Sequence, residues 1–361
     1  MRLQSISLEN FRNVEFARLD FSGSRTFFLG PNGQGKTNLL EAVAFAGVLR
    51  SFRFAGSDGL VRHEAREARL MHRFLDESKI EREVLLSIDS RGAKSVELDG
   101  EKITRLADYV GVFPSVALSS RDFRLVRDGP GERRRWLDVT LSSSSPQYFE
   151  VLRAYHRALR ERNALLKRAG SDAEIDAFES SMLPAAAELA RLRREAIPRL
   201  SANLAESYEF LSEGKEKANL RYKPDLGDAD SSELPQLYES ARDGDRALGS
   251  TRRGPHRDDF RFLLDSRDAR NLASEGQQRG LVLALRLAEF SYLRELRENT
   301  PILLLDDALG ELDLSRRGNF MSLLPKDAQV LASGTVMPEH DPEEWEVFEV
   351  SAGEFSKRQP D

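Results

Sequence analysis

The alternation of apolar and polar positions divides the chain into strand-like and helix-like stretches. Residues 25–29, RTFFL, are continuously apolar, the pattern of a short strand buried on both faces. This run empties into GPNGQGKT (30–37) and then NLLEAVAFAGVL, where Leu39, Leu40, Val43 and Ala46 recur at helical spacing. EVLLSID and SVELDGEKI read as further strands, and Asp99-Gly100 predicts a hairpin turn. From about 147 to 213 the pattern is helical, with a break at Gly170-Ser171-Asp172. Pro184 and Pro198 argue against one straight rod in its second half. Two arms of roughly 20 to 40 residues would reach about 30 to 60 Å. After ASEGQQRG (273–280), LVLALRLAEFSYLREL sets Leu281, Leu285, Ala288 and Tyr292 on one helical face. PILLLDD (301–307) is a second buried strand, ending in two carboxylates.

Composition narrows the chemistry. A chain of 361 residues has material for two or three compact units, and 40% hydrophobic with 32% charged residues reads as a soluble globular protein. The absence of cysteine excludes a disulfide framework, a thiol nucleophile and a thiolate metal site. The five histidines are scattered with no pair at ligand spacing, so no structural metal is expected. MRLQSISLENFRN lacks the apolar core of a signal peptide and no run approaches a membrane span, so a cytoplasmic location is expected.

Net charge is −6, but its distribution says more than its sum. Acid gathers in 225–245 and in EHDPEEWE, base in RRRW (133–136), RLRR (191–194) and TRRGPHR (251–257). Each basic cluster reads either as a solvated, salt-bridged face or as a surface for phosphates.

GPNGQGKT is G-x-x-x-x-G-K-T in the strand-loop-helix setting that a phosphate-binding loop requires. Its glycines let successive N–H groups point at a β-phosphate, and the helix N-terminus adds its dipole. Lys36 would reach the β- and γ-phosphates and Thr37 would hold Mg²⁺. Asp306 would orient the same ion, and Asp307 would orient or deprotonate the attacking water. At the second helix, Ser274 is a good N-cap and, with Gly276, makes either another anion site or only a capped core helix.

The order GPNGQGKT, Ser-x-Gly-Gln before an apolar helix, ILLLDD and then ELD (311–313) resembles the ABC-type ATPases. NFRN, RSFR (50–53), DGPGERRRWLD (128–138), YHRALRERNALLK (155–167), GPHRDD (254–259), EGQQR and LLLDDALGELD narrow the resemblance to the bacterial RecF family, over nearly the full chain. The resemblance implies an α/β fold: an ABC-type P-loop head with a mixed-sheet lobe and a helical second lobe. Lobe I would comprise 1–118 plus 297–361 and lobe II 119–296.

It further implies that ATP is bound by Gly30, Pro31, Asn32, Gly33, Gln34, Gly35, Lys36, Thr37 and Asn38 of one protomer. Ser274, Gly276 and Gln277 of another would complete that site, so nucleotide would join a head-to-tail homodimer; Asp313 is a further implied nucleotide contact. The implied activity is slow, DNA-dependent ATP hydrolysis in recombinational gap repair, replication restart and the SOS response. Its partners would be double-stranded DNA, single-strand/double-strand junctions, RecO and RecR, and indirectly RecA. Candidate DNA contacts are Arg133, Arg134, Arg135, Arg252, Arg253 and Arg257.

Two departures from the family pattern stand out. Ser120-Arg121-Asp122 replaces a Pro-Glu-Asp step, so that only Asp122 is retained, and Glu275 stands where a basic residue is common. VLASGT (330–335) lacks the switch histidine of transporter ATPases, as the family generally does. Other function classes fit less well. A transporter-type ATPase should carry the histidine, an ATP-gated nuclease needs an acidic cluster after the head, and a non-hydrolysing DNA clamp remains the alternative.

Overall fold

The computed structural model describes residues 1–53, 59–308, 310, 312, 314–337 and 345–358, which fall into two compact units. The first holds residues 1–123 and 282–361, the second residues 124–281. The return to the first unit thus occurs at Val282, earlier than the expected 297.

In the first unit, β1 (Arg2–Phe11) and β2 (Val14–Asp20) form an antiparallel pair. β3 (Arg25–Leu29) then leads through the phosphate loop into α1 (Lys36–Val48). β4 (Glu67–Leu75), β5 (Glu81–Asp89), β6 (Lys94–Leu98) and β7 (Glu101–Lys102) extend the first sheet in the order β2-β1-β4-β5-β6-β7. Alternation buries Ala68, Leu70, His72 and Phe74 of β4 and Val84, Leu86 and Ile88 of β5 on one face. The turn between β6 and β7 is Asp99-Gly100, with φ of 53° and 81°, as a two-residue hairpin of this type requires.

The second sheet contains β8 (Ser115–Ser119), β12 (Ile302–Asp306), β13 (Val330–Gly334), β14 (Glu346–Ser351) and β15 (Glu354–Lys357), in the order β15-β14-β3-β13-β12-β8. All its pairings are parallel except β14 with β15. The continuous apolar runs sit centrally, and every residue of β12 is buried. α1 packs against β8, β12 and β13 and also against β1 and β4, so it is apolar around most of its circumference. Gly47 lets α1 approach: a Cβ there would lie 2.7 Å from the Phe113 carbonyl oxygen. Two short segments complete this half, and α9 (Leu314–Leu323) lies between β12 and β13.

The second unit starts with α2 (Arg124–Arg127), α3 (Pro130–Ser144), α4 (Pro146–Lys167) and α5 (Asp172–Leu211). The break at residues 170–172 carries a capping box, in which Ser171 and Glu174 satisfy each other's backbone N–H groups. α4 and α5 have 22 and 40 residues, about 33 and 60 Å at 1.5 Å per residue. α5 continues through Pro184 and Pro198 as one helix. Each proline removes one backbone bond, while a buried stripe from Ile175 through Leu189 and Leu204 to Leu211 holds the helix in place.

A small sheet of β9 (Ala218–Lys223), β10 (Asp259–Leu264) and β11 (Arg267–Asp268), in the order β11-β10-β9, packs beside α5 and α3. The amphipathic α6 (Leu234–Leu248) and short α7 (Ala269–Leu272) complete this unit, with the start of α8 (Glu275–Leu296). Among the described residues no helix is long and apolar enough to cross a membrane, and no cluster of His, Cys, Asp or Glu could hold a metal on its own.

Candidate nucleotide-binding site

The phosphate loop is held from both flanks. Gly30 N–H donates to the Gly334 carbonyl at 3.2 Å, and a Cβ at Gly30 would collide with the Val350 carbonyl oxygen. At the crest, Gly33 and Gly35 have φ of 81° and 119°, a region closed to most side chains. Gln34 is pinned by the β14–β15 turn: Gly353 N–H donates to its carbonyl at 2.8 Å and Ala352 N–H to its side-chain oxygen at 2.7 Å. From the β1–β2 turn, Asn13 Oδ1 accepts from Asn38 Nδ2 at 2.6 Å, while Arg53 Nη1 donates to Asn38 Oδ1 at 2.8 Å. Pro31, Asn32 and Gly33 are exposed, and nothing lies within 4 Å of where a Gly33 Cβ would point.

Lys36 is only 3% exposed, and its ammonium donates to the carbonyls of Gly30 (2.6 Å) and Pro31 (3.0 Å). A cation held by two loop carbonyls, beneath an open crest of backbone N–H groups, suits a polyanionic ligand such as a nucleotide triphosphate.

Behind the loop, Thr37 Oγ1 donates to Asp306 Oδ1 at 2.7 Å, and Ser333 Oγ donates to the same oxygen at 3.0 Å. Burial raises the Asp306 carboxyl above its ordinary range; the two hydroxyls oppose that shift and the neighbouring Asp307 charge adds to it. Asp307 follows with φ 51° and its N–H donates to Ser333 Oγ at 3.1 Å. A hydroxyl and a carboxylate meeting in this way form the hard-oxygen donor set that suits Mg²⁺. Asp313 lies outside the described residues.

In the second unit Ser274 is exposed at the start of α8. Its Oγ accepts from Gln277 N–H at 3.3 Å while Gln277 Oε1 accepts from Ser274 N–H at 2.6 Å, a reciprocal cap. Gln277 Nε2 also donates to Glu216, which accepts from the Tyr208 hydroxyl at 2.8 Å. Gly276, half-buried, lies in the first turn, and Gly280 one turn on faces Tyr208, whose ring carbon would lie 3.2 Å from a Cβ there. Glu275 is not an isolated anion: Arg279 Nη2 lies 2.9 Å and Arg127 Nη2 3.6 Å from its Oε1. Arg127 is itself fixed by Gln278 Oε1 at 2.6 Å. Two guanidiniums therefore offset the carboxylate that the sequence places in this motif.

A family model described as the RecF/RecN/SMC N terminal domain matches residues 2–336. The DNA replication and repair protein RecF of Synechococcus sp. is 34% identical, over 94% of this chain and 93% of its own. Its counterpart in Halalkalibacterium halodurans is 33% identical, over 99% of this chain and 100% of its own. The chain belongs to the RecF family. A solved structure of the recombination mediator protein RecF with ATP aligns at a TM-score of 0.91 and 27% identity, covering 99% of this chain and 97% of that one. An SMC head bound to a ScpA domain aligns at 0.57 and 16% identity, a likeness of fold. The protein is thus an ABC/SMC-like ATPase head of the RecF type, a family of DNA replication and repair proteins.

Within this RecF-family head, the structure also ties down several residues to which the sequence assigns no role. Arg12 makes a two-pronged pair with buried Glu41 of α1, at 3.0 and 2.7 Å, and Arg53 lies 3.7 Å from the same carboxylate. Asn13 and Arg53 belong to NFRN and RSFR, segments that carry the family resemblance but suggest no role by themselves. Asp122 is 2% exposed and pairs with Arg286 at 2.7 Å while accepting from Ser119 N–H at 2.8 Å. Arg121 donates to the Arg53 carbonyl at 2.7 Å.

The candidate DNA-contacting arginines separate into two groups. Arg133 is 4% exposed; it holds Asp259 with Nε and Nη2 and the Leu125 and Asp128 carbonyls with Nη1, so it is a buried structural cation. Arg134, half-buried, donates to the Asp258 carbonyl at 2.8 Å, and Arg135 is half-buried. Arg252 and Arg257 are exposed, and Arg253 is 3.6 Å from Asp225. The loop that carries them is anchored by Thr251, whose N–H donates to Asn163 and whose hydroxyl accepts from fully buried Arg162 at 2.7 Å.

Proposed function

We propose that this protein is an ATP-driven dimerisation switch that acts on double-stranded DNA in recombinational gap repair. The observation that carries the reading is the Thr37–Asp306–Ser333–Asp307 hydrogen-bond chain behind a phosphate loop whose lysine donates to two loop carbonyls. Gly30 to Asn38 cradle the triphosphate, and Lys36 leaves the Gly30 and Pro31 carbonyls for the β- and γ-phosphates. Mg²⁺, held by Thr37 and oriented by Asp306, would supply charge neutralisation there. Asp307 orients the attacking water.

Ser274, Gly276 and Gln277 of a second protomer complete the site: the exposed Ser274 cap presents a helix N-terminus, and Arg127 and Arg279 remove the electrostatic objection of Glu275. Asp313 is a further nucleotide contact by resemblance. Hydrolysis is slow, because Asp307 is one methylene shorter than the glutamate of fast relatives; steady-state turnover falls well below about 10 per second.

The dimer holds DNA through phosphates and reads no bases. Arg252, Arg253 and Arg257 suit that task, together with Arg134 and Arg135 at the edge of α3. The exposed face of α4 adds Arg153, Arg157, Arg160 and Lys167. By family resemblance the loaded dimer marks single-strand/double-strand junctions in the cytoplasm and works with RecO and RecR in placing RecA, within replication restart and the SOS response.

Sedimentation of the full chain with no nucleotide, with ADP, and with ATP and Mg²⁺ tests this reading. ATP alone should drive dimerisation, and Ser274→Arg should stay monomeric while binding ATP with wild-type affinity. A wild type that remains monomeric in ATP and DNA at tens of micromolar, where an association of about −8 kcal/mol would show, contradicts it.

A further inference from the structure

β13 is the strand between β3, which feeds the phosphate loop, and β12, which ends in Asp306. Its register sets Ser333 beside Asp306 on one side and Phe28 on the other. The next residue, Gly334, accepts from the first N–H of the loop, that of Gly30, at 3.2 Å. One strand end is therefore bonded both to the loop and to the carboxylate pair.

A serine hydroxyl has one proton and two lone pairs. The Asp307 N–H, 3.1 Å from Ser333 Oγ, can only donate, so the Ser333 proton points to Asp306 Oδ1, 3.0 Å away. The direction of both bonds is fixed by chemistry. Ser333 is 1% exposed, so its hydroxyl does not share these bonds with bulk solvent. Asp307 sits at φ 51°, in the left-handed region that a non-glycine residue enters at a penalty of about 1–2 kcal/mol. Its N–H bond to Ser333 holds it there and so determines where its side chain emerges. Thr37 shares Asp306 Oδ1 but has a second duty as the proposed Mg²⁺ ligand. Among the described residues, the Ser333 hydroxyl bonds to these two aspartates.

From this geometry we infer that Ser333 is the positioning residue for both carboxylates: its hydroxyl orients Asp306 toward Thr37 and locks the backbone of Asp307. The inference rests on the ATPase reading above and deepens it. It also gives the VLASGT segment, which has no histidine, a polar group that connects the loop end of the sheet to the hydrolytic residues.

The test uses the full chain as wild type, Ser333→Ala and Ser333→Thr. Three quantities are measured: steady-state ATP turnover, binding of a fluorescent ATP analogue across a Mg²⁺ titration, and binding of the same analogue in EDTA. Loss of a hydrogen bond to a charged group should lower kcat roughly 10- to 100-fold in Ser333→Ala. The Mg²⁺ needed for half-maximal binding should rise about three- to ten-fold, with KM and binding in EDTA held within about two-fold. Ser333→Thr, which keeps the hydroxyl, should recover most of both. Wild-type kcat and Mg²⁺ dependence in Ser333→Ala would overturn the role of Ser333 and leave the ATPase reading intact. Equal weakening of binding with and without Mg²⁺ would also overturn it, because the defect would then lie in the loop. A wild type that consumes no ATP with DNA present would overturn the ATPase reading itself, and this inference with it.

Discussion

Arg133 and Asp259 form a two-pronged ion pair, Nε to Oδ1 at 2.8 Å and Nη2 to Oδ2 at 3.1 Å, inside the second unit. Removing one partner of a fully buried pair strands the other charge at about 3–5 kcal/mol, and the 20% exposure of Asp259 places this pair below that range. Arg133→Ala should therefore unfold at markedly lower denaturant concentration. Arg257→Ala, from an exposed position, should keep wild-type stability and weaken DNA binding, and Arg252→Ala should weaken DNA binding while also losing the 3.4 Å pair with buried Asp245. Each should also reduce the salt slope of that binding by about one, the share of a single neutralised phosphate. Denaturant melts beside salt-dependent DNA titrations decide it; a stable Arg133→Ala with weakened DNA binding would reverse the assignment.

Lys36 is the cation of the proposed nucleotide site, held by the Gly30 and Pro31 carbonyls. A ligand at about 100 times its Kd stabilises the folded state by about 2.7 kcal/mol. If Lys36→Ala weakens ATP about 100-fold, the same ATP concentration should stabilise the variant by only about 0.4 kcal/mol. Thermal melts with and without ATP would show it, and equal stabilisation of both proteins would remove Lys36 from phosphate binding.

His72 makes stability depend on pH. Burial lowers its pKa from 6.5 to about 4, while its Nε2 lies 3.0 Å from the Ala42 carbonyl and its ring stacks on Phe74. Between those values the unfolded chain binds the extra proton, so the contribution is complete above pH 6.5 and declines as pH falls toward 4. Moving from pH 7 to 4.5 should remove about 2–3 kcal/mol, and His72→Gln should flatten this slope. Identical pH dependence in the variant would show that other groups account for it.

The nucleotide loop was legible in the sequence because its chemistry is contiguous: Gly30 to Thr37 is one turn of chain with a strand before it and a helix after. Asp306 was legible through that loop, since two carboxylates after a buried strand are on their own an ordinary turn and gain a role only beside a phosphate loop. Ser333 was not, since a serine in a buried strand carries no motif and acquires its role from the register with Asp306. The basic clusters RRRW and RLRR each turn one arginine into the protein. Successive residues of a helix are turned by about 100°, so Arg133, Arg134 and Arg135 cannot share one face. Arg133 points inward, as does Arg193 of RLRR, which is 1% exposed and holds Asp138 and Asp258. Pro184 and Pro198 argued against one straight rod; α5 runs through both as a single helix.

The central claim, that one protomer's phosphate loop is completed by another's Ser274, is tested most directly by mixing two inactive proteins. Lys36→Ala lacks the loop and keeps the cap; Ser274→Arg keeps the loop and lacks the cap. Ser274→Arg does not pair with itself and Lys36→Ala binds ATP poorly, so the species that ATP assembles is the heterodimer, with one intact composite site out of two, and the mixture should recover up to about half of wild-type ATP turnover. If the mixture hydrolyses no more than the average of its two components, the site is not shared between protomers and the account fails.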